Sequence, residues 1–113
     1  MKTKTKKRPL DALTACQAIE GFVANHTFVD YEQNLILRSA AERQFEIIGE
    51  SLHQAEVDDP EVTELLPELR RIVGMRNRII HGYDSVDDEL LWQTIQHNIP
   101  TLSRHLEQLL AGE

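Results

Sequence analysis

The sequence predicts an all-α protein, folded as an antiparallel bundle of four or five helices in a single domain. Apolar residues recur at intervals of three and four along most of the 113-residue chain, which is the period of an amphipathic helix. No segment alternates apolar and polar residues for long enough to form a strand. Aromatic residues make up only 5% of the chain, a composition that favours helices over sheets.

The first two helices are predicted from apolar stripes on either side of a polar connection at residues 25–30. Helix one should run from Pro9, a residue suited to a first helical turn, to about Ala24. Its stripe consists of Ala12, Cys16, Ile19 and Val23. Helix two is predicted as one long element over residues 31–55, with Leu37, Ala41, Phe45, Ile48, Leu52 and Ala55 on its stripe. Cys16 fits this pattern as a small buried hydrophobic residue.

The second half of the chain contains clear helix boundaries. A break with two aspartates and Pro60 precedes a third helix, which should begin near Glu61, be interrupted at Pro67 and end around residue 81. Asp87 is a good N-cap for a fourth helix, with Val86 and Leu91 placed to form a hydrophobic staple. Pro100 lies within that helix and is expected to kink it or divide it in two.

Charge is unevenly distributed along the chain. The net charge is −7, but five of the twelve basic residues lie in the first eight positions, where there is no acid. We expect residues 1–8 to be a disordered basic tail and residues 9–113 to form the helical domain. The remainder holds nineteen acids and only seven basic residues, of which four are Arg70, Arg71, Arg76 and Arg78. Such an acidic body excludes a general nucleic-acid binder, although a local arginine cluster can still hold a few phosphates.

Several classes of protein can be set aside. The lone cysteine precludes an internal disulfide, and no apolar run approaches the roughly 18 residues that span a membrane. The basic N-terminus lacks the apolar segment of a secretory signal, so a cytoplasmic location is expected. The histidines at positions 26, 53, 97 and 105 form no pair with metal-ligand spacing, and we predict neither a metal nor a cofactor.

Chemistry-bearing residues concentrate at the end of the third predicted helix. Arg76 continues the apolar stripe of that helix, where a charge is costly unless it is paired or functional. Asn77 and Arg78 lie four and three residues before His81 and share its face of the helix. Gly82 suits the position just past a helix end, and Tyr83 follows it.

Two glutamates on the second helix are candidate partners for that arginine. Glu46 and Glu50 share a face with Arg43, at spacings of three and four. Two interpretations remain open: these residues form a solvated face with weak ion pairs, or a glutamate reaches Arg76 and holds its guanidinium group.

The run Gly-Met-Arg-Asn-Arg-Ile-Ile-His-Gly-Tyr at residues 74–83, behind Glu-Ile-Ile-Gly-Glu at residues 46–50, resembles the HEPN superfamily and, within it, the HepT-like toxins. The resemblance covers roughly residues 30–110, and Arg76, His81 and Tyr83 match the R-x4-H-x-Y motif without departure. It implies a homodimeric, metal-independent endoribonuclease with Arg76 and His81 as catalytic residues. It further implies a toxin that a small nucleotidyltransferase antitoxin silences by adding AMP to Tyr83.

The chemistry of RNA cleavage suits these residues. The 2′-hydroxyl of RNA is the nucleophile, so the enzyme must supply a base, an acid and positive charge near the phosphate. His81 can serve as acid or base near neutral pH, and Arg76 can hold phosphate oxygens. Asn77 can orient the histidine or the phosphate, and Arg78 can support phosphate binding. Residues five apart on an unbroken helix are separated by about 140°, so Arg76 and His81 converge only if the helix loosens near Ile80 or if they meet across a dimer.

Simpler roles are also available. His81 could complement a helix dipole, and Tyr83 could pack back on the last turn. The alternative function is a non-catalytic helical module that binds a nucleotidyltransferase partner, a nucleotide or both.

Overall fold

The computed structural model describes residues 6–80 and 87–112, and this part of the chain is an all-helical bundle without strands. The predicted fold class is therefore confirmed. Six helices are present there: α1 Lys7–Val23, α2 Phe28–Gln33, α3 Leu35–Asp58, α4 Val62–Leu65, α5 Leu69–Ile80 and α6 Asp88–Ala111. None of these helices is long and apolar enough to cross a membrane.

The long helix α3 organises the bundle. It packs against α1 on one side and α5 on another, while α1 also packs against α6. The stripe residues predicted for the first two helices are all buried in this core. Burial raises the pKa of the Cys16 thiol to about 12, which keeps it protonated and unreactive. Helix α1 begins at Lys7, two residues before the predicted start, and residues 1–5 lie outside the described part.

The prediction of one helix over residues 31–55 is wrong, because two helices meet there at Asn34. The N-terminus of α2 has a capping box in which the Thr27 hydroxyl accepts from the Asp30 N–H and the Asp30 carboxylate accepts from the Thr27 N–H. Asn34 adopts an extended backbone conformation, and its side chain accepts from the N–H of Leu37 to start α3. The apolar stripe resumes after Asn34, which is why periodicity alone did not detect the break.

The boundaries of the later helices follow the sequence signals more closely. Pro67 separates α4 from α5, as predicted, and Asp87 caps α6 by accepting from the N–H of Leu90 at 3.0 Å. Val86 of the predicted staple lies outside the described residues. Helix α6 continues through Pro100 and is not divided there. Buried Ile99 and Leu102 on either side of the proline offset the lost backbone hydrogen bond.

Candidate active site

Arg76 lies on the face of α5 that packs against α3. Leu69 and Ile72 on the same face are fully buried, and the Arg76 side chain is only 20% exposed. The expectation that Arg76 occupies a core-like position is therefore correct. A charge so placed needs compensation from its neighbours.

The Arg76 guanidinium group is held from two sides. Its Nη2 donates to the Glu50 carboxylate at 2.5 Å, and its Nη1 donates to Oδ1 of Asn77 at 2.8 Å. Its Nε is buried and has no hydrogen-bond partner among the described atoms. Because arginine can only donate, the contact requires that Asn77 present its carbonyl oxygen to Arg76. The amide NH2 of Asn77 is then left to donate elsewhere.

Gly49 makes this arrangement of Arg76 possible. A methyl group at position 49 would overlap both Cβ and Cγ of Arg76, so the two helices can approach this closely only because α3 has a glycine there. Gly49 lies in the segment that carries the family resemblance, and no role was predicted for it. A glycine in the middle of a long helix, with no turn nearby, is the signal that could have revealed a close approach.

Glu46 and Glu50 have different roles, so the solvated-face interpretation holds for one of them and the Arg76-partner interpretation for the other. Glu50 contacts Arg76, with 46% of its side chain still exposed. Glu46 pairs with the exposed Arg43 at 3.3 Å and belongs to the solvated face. Together with Ile47 and Ser51, these four residues line an open cleft of about 230 Å³ that leads to the guanidinium group.

The structure brings together only part of the predicted site. Asn77 is half-buried beside Arg76, whereas Arg78 is exposed on the other side of α5. Helix α5 remains α-helical through Ile80. His81 and Tyr83 lie outside the described residues, so their predicted roles remain predictions.

Other histidines show no sign of a metal centre in the described ranges. His105 of α6 contacts the buried carboxylate of Glu68 through Nδ1, at 2.5 Å and 3.1 Å from its two oxygens. This pair joins α6 to the segment before α5. Within residues 6–80 and 87–112, no three histidine, cysteine or acidic side chains are grouped as metal ligands.

The fold and the guanidinium-centred cleft define an all-α protein with an arginine held at one edge of the bundle. Residues 12–109 match the model of the family described as "Ribonuclease HepT-like". The chain belongs to this family of HepT-like ribonucleases.

Individual relatives support the same assignment. A protein of Thermococcus cleftensis named "Probable ribonuclease HepT" is 33% identical over 111 residues, which cover 96% of this chain and 98% of the relative. A "Putative RNase" of Caldanaerobacter subterraneus subsp. tengcongensis is 31% identical over 101 residues, 89% of each chain. No solved structure matches the chain.

Proposed function

We propose that this protein is a metal-independent endoribonuclease and the toxin of a toxin–antitoxin pair. The observation that carries the proposal is Arg76, a nearly buried arginine held by Glu50 and Asn77 at the edge of a cleft. Family membership supports RNA as the substrate. A fixed guanidinium group can stabilise negative charge that develops on a phosphate.

The proposed reaction uses the nucleophile that RNA itself carries. The 2′-oxygen attacks the adjacent phosphorus as a base removes its proton, and the bond from phosphorus to the 5′-oxygen breaks. A cyclic 2′,3′-phosphate forms, and an acid protonates the departing 5′-oxygen. His81 fills one of these roles in each chain. The NH2 group of Asn77 would donate to a phosphate oxygen, because its carbonyl oxygen already accepts from Arg76.

A homodimer completes the acid–base pair in this proposal. One chain supplies a single motif histidine, and a two-fold interface near the end of α5 would bring two motifs together. Met75 and Ile79 on α5 are only half-buried in the single chain, and burial of their exposed surface would favour such an interface.

The alternative is a non-catalytic module that binds a nucleotidyltransferase partner. The contacts that hold Arg76 are compatible with this alternative, because an arginine with a purely structural role would also be bound by residues such as Glu50 and Asn77.

One experiment separates the two functions. The protein is fractionated by size at micromolar concentration, and each fraction is incubated with RNA in EDTA. We expect cleavage in the fraction with twice the 13.0 kDa chain mass, and products that end in a cyclic 2′,3′-phosphate. Intact RNA in every fraction would exclude a metal-independent ribonuclease, and activity confined to a monomer fraction would exclude the dimeric site.

We further propose that the partner nucleotidyltransferase silences the protein at Tyr83. The Tyr83 phenol oxygen attacks the α-phosphate of ATP, pyrophosphate leaves, and the phenol loses its proton. The attached phosphate would lie two residues from His81 in sequence. It would compete with RNA for the arginines and repel an incoming backbone.

Coexpression with the partner nucleotidyltransferase should add about 329 Da per AMP group to the protein, on the peptide that contains Tyr83. The chain has one other tyrosine, Tyr31, which is fully buried and provides a matched control. Tyr83→Phe should abolish the added mass and keep most ribonuclease activity. Tyr31→Phe should keep the added mass, and it should cost little stability because the Tyr31 hydroxyl has no partner among the described residues. An unmodified mass in a fully neutralised pair would disprove the proposal.

A further inference from the structure

The exposed face of α5 has an unusual composition. Among the α5 residues whose burial the structure describes, the exposed ones are Arg70, Arg71, Gly74 and Arg78. They share one side of the helix, because their spacings of three, four and seven residues bring them together at 3.6 residues per turn. Every exposed residue of this face is therefore an arginine or a glycine.

This face concentrates the positive charge of an otherwise acidic bundle. Two other arginines of the domain are already paired, Arg38 with Asp88 at 4.0 Å and Arg43 with Glu46. On α5, Arg70 is tied to Glu56 at 2.9 Å. For Arg71 and Arg78, no carboxylate of the described part lies within ion-pair distance. These two arginines are about 10.5 Å apart along the helix axis, from 1.5 Å per residue.

Gly74 leaves the centre of the face open. A Cβ placed there would meet nothing within 4 Å among the described residues, so packing against this part of the bundle does not explain the glycine. Without a side chain between the two arginines, another polymer backbone can approach the helix closely at this position. A glycine in a helix interior costs about 1 kcal/mol of stability relative to alanine, so this position favours a role for the open gap over one in helix stability.

We propose that this arginine face, formed by Arg71, Gly74 and Arg78 on the side of α5 away from Arg76, binds the sugar–phosphate backbone of single-stranded RNA. The inference rests on the proposed ribonuclease function and defines the substrate as a strand longer than the nucleotides at the scissile bond. Arginines bind phosphate oxygens through charge-assisted hydrogen bonds. An acidic protein is a poorer match, because the face lacks the apolar and aromatic side chains that form the core of protein interfaces.

RNA binding measured without cleavage tests the arginine face. Each variant is made in the His81→Ala protein, and its affinity for a labelled 12-nucleotide RNA is measured across a range of salt concentrations. Loss of one phosphate contact reduces the slope of log affinity against log salt by about 0.7 for single strands. We expect that reduction for Arg71→Ala. Gly74→Glu should weaken binding because it places a carboxylate in the open gap. Arg104→Ala, which removes an exposed arginine on α6, should leave the slope unchanged.

The outcomes separate the arginine face from the catalytic proposal. If the full chain fails to cleave RNA in EDTA but Arg71→Ala reduces the salt slope, the face stands and the proposed reaction fails. If the full chain cleaves and Arg71→Ala binds with an unchanged slope, the face proposal is overturned. It is also overturned if Arg71→Glu disrupts only the complex with the nucleotidyltransferase, since the face would then serve a protein.

Discussion

His81→Ala and Arg76→Ala are each expected to abolish growth inhibition when the protein is expressed without the proposed antitoxin. Removal of one acid–base group typically lowers a rate by roughly 10²–10⁴, enough to eliminate toxicity at ordinary expression. Loss of Arg76 would remove the positive charge at the phosphate. The fold should survive this change, because Glu50 is 46% exposed and water can replace the guanidinium group.

Growth curves at matched expression, with circular dichroism of each purified variant, measure these effects. His97→Ala is the control, since His97 is an exposed histidine on α6 whose hydrogen bond among the described residues is with Gln93. Arg76→Lys keeps the charge but loses the planar fork, and should remain well below wild-type activity. Full toxicity of His81→Ala would show that the catalytic assignment is wrong.

Gly49→Ala should damage both stability and activity through Arg76. The added methyl group would overlap Cβ and Cγ of Arg76, so α3 and α5 must separate or the arginine must leave Glu50. Overpacking of this kind costs about 1–3 kcal/mol of unfolding free energy. A displacement of about 1 Å at a catalytic group can lower the rate roughly 100-fold. We expect the loss mainly in kcat, measured well below the melting temperature.

Gly21→Ala provides the matched control for Gly49. Gly21 is also a helical glycine, but it is exposed on α1 and a Cβ there would meet nothing within 4 Å. Alanine should therefore stabilise the protein at this position, by about 0.5–1 kcal/mol, and leave activity unchanged. The two substitutions should thus shift the melting temperature in opposite directions. A Gly49→Ala protein that melts no lower than wild type and cleaves at the wild-type rate would refute the positioning role.

The features of the fold that the sequence predicted well are those marked by a regular apolar stripe or by a single residue that determines a local structure. The apolar stripes located the core, Asp87 located the start of α6, and Pro67 located the gap before α5. The break at Asn34 was missed because the apolar stripe of α3 gives no sign of it, and only the capping side chain of Asn34 marks it. Pro100 does not divide α6, because a single lost hydrogen bond is small beside the burial of the residues around it.

The site was predicted in part for a similar reason. A charge on an apolar stripe must be compensated, so the burial of Arg76 and the need for a carboxylate followed from the sequence. Which glutamate reaches it could not follow, because Glu46 and Glu50 share a helix face and only the crossing of α3 with α5 distinguishes them. That crossing depends on Gly49, whose role is defined by a neighbour 27 positions away in the chain.

Folding alone immobilises the Arg76 side chain. A free arginine loses about 2 kcal/mol of rotamer entropy when it is held in one conformation. Here Glu50, Asn77 and the backbone at Gly49 restrict that side chain within the single chain. The entropic cost is therefore part of the free energy of folding. An anion that binds in the cleft does not have to immobilise the guanidinium group again.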